Sequence, residues 1–154
     1  MTVPSAPSDP VPAVVLDTNV VLDWLVFRHP TSVALTAALA DGRLRWLASP
    51  AMREELAHVL GRGVGAAWSP DQAALWATWE RWACAADPLA AHGAATRLRC
   101  TDADDQKFID LALAHGARWL LSRDRAVLKL ARRARPLGLE VLTPEAWRAA
   151  FSDG

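Results

Sequence analysis

A chain of 154 residues has room for one ordinary domain, and at 52% hydrophobic and 22% charged residues it can bury a substantial core, which excludes wholesale disorder. Seventeen basic residues balance seventeen acidic ones, so no global field draws the chain to nucleic acid or membrane, and any polyanion contact must come from local asymmetry. Two cysteines, Cys84 and Cys100, exclude a disulfide framework and a zinc site built from cysteine alone.

The stretch 1–12 carries four prolines and little to bury, and is expected to be a flexible tail outside a single domain over 13–151, with 152–154 as a C-terminal tail. Ala13-Val14-Val15-Leu16 is a short apolar run ending at Asp17, which suits a strand buried on both faces. Ser49-Pro50, Ser69-Pro70 and Thr143-Pro144 each place a capping hydroxyl before a proline suited to a first helical turn, and Ser69 with Gln72 forms a capping box. Further strands are predicted over 43–48, 118–122 and 139–142, and helices over 31–40, 50–61, 70–83, 103–115, 124–134 and 144–151. The stretch 84–99 reads as a long connection. Strands alternating with helices imply an α/β fold with a mostly parallel sheet covered on both faces. No apolar run reaches the roughly 18 residues of a membrane span, and the N-terminus lacks a secretory pattern, so a cytoplasmic protein without membrane association is expected.

Ligands of such sheets bind outside the carboxyl ends of the strands. Two predicted strands end near a carboxylate: Asp17 after the first, and Asp124 just past Leu120-Leu121-Ser122. On the helix from Pro50, Met52, Leu56, Val59 and Leu60 form an apolar stripe, with Glu55 beside it and Glu54 pointing away. An inward acid needs a partner or a metal, the plainer reading being a rim position that meets an arginine. In Thr101-Asp102-Ala103-Asp104-Asp105-Gln106-Lys107-Phe108, acids complement a helix dipole and Thr101 pairs with Asp104 as a variant cap. Three acids in four residues exceed what capping requires. Asp105 shares a face with Phe108, Ile109 and Ala112, but the helical wheel alone does not choose between Asp104 and Asp105. Asp17 and Asp124 have a plain role too, as caps of the helices that follow them. Their joint placement has none. Carboxylates converging on one sheet edge repel unless a divalent cation neutralises them, and oxygen-only ligands suit magnesium or manganese.

Four segments in order carry a resemblance: Leu16-Asp17-Thr18-Asn19-Val20, Ser49-Pro50 followed by Glu55-Leu56, Asp102 to Phe108, and Leu121-Ser122-Arg123-Asp124. Together they resemble the PIN-domain ribonucleases, most closely the branch described as toxin components of toxin–antitoxin systems (VapC-like), which Leu142-Thr143-Pro144-Glu145 also fits. The resemblance covers about 13–147. It implies a three-layer α/β/α sandwich, an acidic pocket holding Mg2+ or Mn2+, and hydrolysis of single-stranded RNA to a 5′-phosphate product, with an antitoxin that blocks the site. By position the family's acids fall on Asp17, Glu55, Asp105 and Asp124, as catalytic residues and metal ligands, with Asp102 as an additional metal-binding acid. Asn19 and Ser122 match the residues that support the pocket. A homodimer or higher oligomer is expected. Two positions depart from the pattern: Gln106 stands where an acid or amide is common, and Ala126 replaces an acid often found two residues after Asp124.

Charge is locally lopsided: residues 101–110 hold four acids and one lysine, whereas 117–136 hold seven basic residues and one acid. Arg125, Lys129, Arg132 and Arg133 share one face of the helix after Asp124, opposite Val127, Leu130 and Ala134. The stripe is either a solvated face or a substrate-binding track for a phosphate backbone. Among eight tryptophans, Trp79 and Trp82 repeat with Leu75 at helical spacing as core, while Trp68 and Trp76, if exposed, would mark a protein interface. His29, His58, His92 and His115 show no metal-ligand spacing. A phosphatase of the haloacid-dehalogenase type needs an acid where Asn19 stands, and is disfavoured. The alternative from another class is a non-catalytic PIN-fold module that binds RNA or protein, for which Ala126 is the hint.

Overall fold

The computed structural model describes residues 11–62, 71–87 and 98–152. Strand β1 (Ala13–Leu16) is buried along its whole length, as a run of four apolar residues requires of a central strand. Strand β2 (Arg45–Ala48) pairs with one side of β1 and β4 (Trp119–Leu121) with the other, Val15 lying opposite Leu47 and Leu120. Strands β3 (Ala83–Ala85) and β5 (Glu140–Leu142) complete an all-parallel sheet in the order β3-β2-β1-β4-β5. Eight helices accompany it among the described residues: α1 (Thr18–Leu25), α2 (Ser32–Ala40), α3 (Pro50–Arg62), α4 (Gln72–Trp82), α5 (Gln106–Ala114), α6 (Arg125–Leu128), α7 (Ala131–Ala134) and α8 (Pro144–Ser152). Successive β1 side chains point to opposite faces and all are buried, so helices cover both sides of the sheet. This is the three-layer α/β/α sandwich. No helix among the described residues is long and apolar enough to cross a membrane.

The predicted caps fare unevenly. The Ser49 hydroxyl accepts from the Met52 amide at 3.3 Å, and the Thr143 hydroxyl from the Ala146 amide at 3.1 Å. Ser69 lies outside the described residues, and α4 is capped instead by Asp71, which accepts from the Ala74 amide at 3.0 Å. Helix α4 accordingly starts at Gln72. Strand β3 takes the last residue of the helix predicted over 70–83 and the first two of the stretch 84–99 that reads as a connection. Three small or weakly apolar residues, Ala83, Cys84 and Ala85, carry no periodic signal, and an edge strand is defined by pairing with β2 rather than by burial. The helix predicted over 124–134 is divided into α6 and α7. At the join the Leu130 amide bonds to the Val127 carbonyl three residues back, and this tighter step keeps both buried side chains on the core side.

Pairing puts Trp46, Val14 and Trp119 in one row on one face of the sheet. Trp24 and Trp79 stand edge-on to Trp46, at 5.3 and 4.7 Å between centroids, and Trp147 stands edge-on to Trp119 at 6.0 Å. The Leu75/Trp79 spacing is core, as predicted, whereas Trp82 and Trp76 are half-buried, the latter under the Arg53 guanidinium. Trp46 is 1% exposed, so truncation leaves a cavity that the packed indoles around it cannot refill. Trp46→Ala is expected to cost about 3–5 kcal/mol. Urea unfolding checks this as a lowered midpoint with an unchanged slope.

Candidate functional site

After β1 the chain winds outward through β2 and β3, then returns to place β4 on the other flank of β1. The connections leaving β1 and β4 therefore diverge, and a crevice opens at their carboxyl ends. Asp17 follows β1 directly, and Asp124 lies three residues past β4 at the start of α6. Asp105 arrives from a third direction, at the end of a short 3-10 turn (Ala103–Asp105) that leads into α5. Carboxylate oxygens of Asp17, Asp105 and Asp124 all lie within 4.8 Å of one another.

Local bonds explain how each acid is held. Asp17 occupies the N-cap position of α1 but makes no capping bond with its side chain; the Ser122 hydroxyl donates to its Oδ2 at 2.6 Å instead. The same Ser122 oxygen accepts from the Asp124 amide at 2.9 Å, so one buried hydroxyl links two pocket acids. Asp124 does cap its helix, Oδ1 accepting from the Ala126 amide at 2.9 Å, and still reaches the group. Asp102, not Thr101, caps the 3-10 turn by accepting from the Asp104 amide at 3.0 Å. An aspartate carboxylate readily folds back onto the amide two residues on, as it does here. Asp102 and Asp104 are exposed, whereas Asp105 is buried, which settles the ambiguity of the helical wheel. Asn19 supports the strand end rather than the acids, its Oδ1 accepting from the Arg123 amide at 3.3 Å.

Glu55 and Asp102 are not members of the three-aspartate group. Both Glu55 oxygens are engaged elsewhere: Oε2 accepts from the Thr18 hydroxyl and Oε1 from the Lys107 ammonium. The acid beside the α3 stripe thus meets a lysine, not an arginine, and sits at the pocket's edge. Spacing gives no sign of Lys107, since its side chain reaches across to another helix 52 residues away in sequence. Arg123 is equally unmarked in the sequence. Its guanidinium binds Asp23 of α1 at 2.5 Å and Glu145 of α8 through two bonds at 2.9 and 2.7 Å, which pins the loop between Ser122 and Asp124. Gln106 uses both ends of its amide: Nε2 donates to the Leu98 carbonyl and Asp110, and Oε1 accepts from the Cys100 amide. A carboxylate there could not donate. Arg125, Lys129, Arg132 and Arg133 are exposed and unpaired among the described residues, beginning next to Asp124.

The electrostatics follow from crowding. Burial raises the Asp17 carboxyl above its ordinary value, with the charges of Glu55 and Asp124 adding to the effect and the Ser122 hydroxyl opposing it. Asp105 is pushed up to about 7, first by burial, then by the charge of Asp17 and by a hydrogen bond shared with Asp124. Its Oδ2 is buried without a partner among the described residues. An orphaned carboxylate oxygen facing two further acids fits a hard divalent cation with oxygen ligands, and Asp17, Asp105 and Asp124 are the residues that would hold it. A cleft of about 560 Å3 lined by Trp24, Val33, Thr36, Leu75 and Trp82 lies apart from these acids. Convergence of charge rather than volume marks the site.

Residues 13–126 match the PIN-domain family. The chain belongs to that family. In fold this PIN domain is similar to a chain of the crystal structure of VapBC2 from Rickettsia felis bound to a DNA fragment from its promoter, with a TM-score of 0.57 and 16% identity over 84% of this chain and 98% of that one. No curated protein matches the chain in sequence.

Without a cation, Asp105 keeps its proton up to about pH 7 when folded but loses it near 3.8 when unfolded. The folded state binds more protons between these values, so stability falls as pH rises through that window. Thermal melts in chelator are expected to give a higher midpoint at pH 5 than at pH 8, and Asp105→Asn is expected to flatten the difference.

Proposed function

We propose that this PIN domain is a metal-dependent endoribonuclease that hydrolyses single-stranded RNA, and that it is the toxin of a toxin–antitoxin pair. The observation that carries the reading is the group of three aspartates at the point where strand order reverses, with one buried oxygen unpartnered among the described residues. Likeness in fold to a VapBC2 chain supports an antitoxin as protein partner. Held by Asp17, Asp105 and Asp124, Mg2+ or Mn2+ would ease deprotonation of a water for attack on a phosphodiester and would offset charge on the phosphate. The chain's own residues prepare for this. Ser122 fixes the Asp17 carboxylate, the Ala126 amide fixes Asp124, and the Arg123 clamp ties α1, which follows Asp17, to the loop that carries Asp124. Arg125, Lys129, Arg132 and Arg133 offer a row of exposed cations leading away from the pocket, suited to the backbone of a single strand. Ala126 contributes its backbone amide where the family often has an acid, the feature that favours a non-catalytic binding module instead.

Purified protein incubated with single-stranded RNA separates the two. Cleavage is expected with Mg2+ or Mn2+, little with Ca2+, and none in excess chelator. Asp17→Asn is expected to lower it by about 100-fold or more, because even groups that merely orient a metal ligand contribute up to that factor. RNA binding without cleavage under all these conditions would establish the binding module.

Neutralising two of the four cations on α6 and α7 tests the substrate track. Affinity for RNA is expected to fall, and the log–log salt slope to shrink by roughly 0.7 for each phosphate that no longer meets a cation. Turnover at saturating RNA should hardly change. An unchanged slope would make the stripe a solvated surface.

A further inference from the structure

Glu55 is latched while its neighbours are open. Thr18 and Lys107 occupy its two oxygens, whereas Asp105 Oδ2, inside the three-aspartate group, has no partner among the described residues. Lys107 is itself fixed. Its ammonium also donates to the Asp104 carbonyl and lies 4.9 Å from the centre of the Phe108 ring, and its side chain is only 22% exposed. Among the described residues it is the one cation ion-paired with any of Asp17, Glu55, Asp102, Asp105 and Asp124. It stands two residues after Asp105, so the turn that delivers a ligand to the pocket also delivers the charge that restrains the next acid.

Resting on the metal-dependent reading above, we infer that Lys107 is a positioning residue that holds Glu55 outside the ligand set, so that the pocket takes a single divalent cation on Asp17, Asp105 and Asp124. The physical basis is twofold. A fixed ammonium close to the pocket repels a dication, and a carboxylate with both oxygens occupied has none to give. A cation held by three carboxylates keeps more coordination positions for water and phosphate than one held by four, which suits magnesium's reluctance to shed its waters. Lys107 therefore lowers affinity and keeps the metal open.

Manganese binding by the full chain tests this without any cleavage, through loss of the paramagnetic resonance signal of free Mn2+. Wild type is expected to bind one ion, and Lys107→Met to bind about tenfold more tightly as the repelling charge goes and Glu55 is released. A gain in affinity is not what a merely damaged fold produces. Lys107→Arg should behave as wild type. Lys107→Met combined with Glu55→Asp keeps the acid's charge but shortens its reach, and should keep only the part of the gain that comes from the lost ammonium charge. Should Lys107→Met fail to fold, Lys107→Gln is read in its place. Unchanged or weaker Mn2+ binding by Lys107→Met, or a gain left undiminished by Glu55→Asp, would overturn the inference while leaving the metal reading intact. Wild type that binds no Mn2+ would overturn both.

Discussion

Mutual repulsion among three aspartates in a shared, largely buried crevice is the constraint around which this molecule is arranged. Carboxylates this close cannot all remain ionised unless something answers their charge. Part of the answer is internal: Ser122 donates to Asp17, the Ala126 amide donates to Asp124, and burial beside these charges pushes the Asp105 carboxyl up to about 7. These bonds use up some oxygens and leave Asp105 Oδ2 without a partner among the described residues. The remainder of the answer is a site suited to a small hard cation.

Cations of the protein itself are kept to the margins. Arg123 follows Ser122 in sequence, yet its guanidinium turns away to Asp23 and Glu145. Its work is mechanical, tying α1 and the first turn of α8 to the loop that carries Asp124. Lys107 approaches more closely but directs its charge to Glu55. Were either side chain to enter the group, it would neutralise the acids and compete with a metal for their oxygens. The exposed row from Arg125 to Arg133 sits beyond this boundary, where it can meet a phosphate backbone without quenching the pocket.

Topology makes the crowding feasible. A parallel sheet whose order reverses beside β1 brings two strand ends together with their connections splayed apart, and α5 closes the third side. The tryptophan row on one face of the sheet, with Trp46 against Trp24 and Trp79, and Trp119 against Trp147, makes the platform stiff. A rigid frame is what repelling groups need if they are to remain in place.

Much of this is legible in the residues alone. The apolar run at 13–16, the Ser-Pro and Thr-Pro helix starts at Ser49 and Thr143, and the acids at strand ends follow from local chemistry that acts over a few residues. Asp17 and Asp124 are visible because a carboxylate at the end of a buried strand is conspicuous in any short window. Other features depend on partners far away in the chain. Strand β3 exists because β2 offers it an edge, and Asp105 rather than Asp104 faces the pocket because a 3-10 turn capped by Asp102 rotates it inward. Whether Glu55 is a ligand or a latched acid rests on Lys107 and Thr18, which lie 52 and 37 residues from it. Sequence determines which groups are available and what each can do locally; only the tertiary structure decides which of them meet, because pairing across distant segments is set by packing that no short window of residues contains.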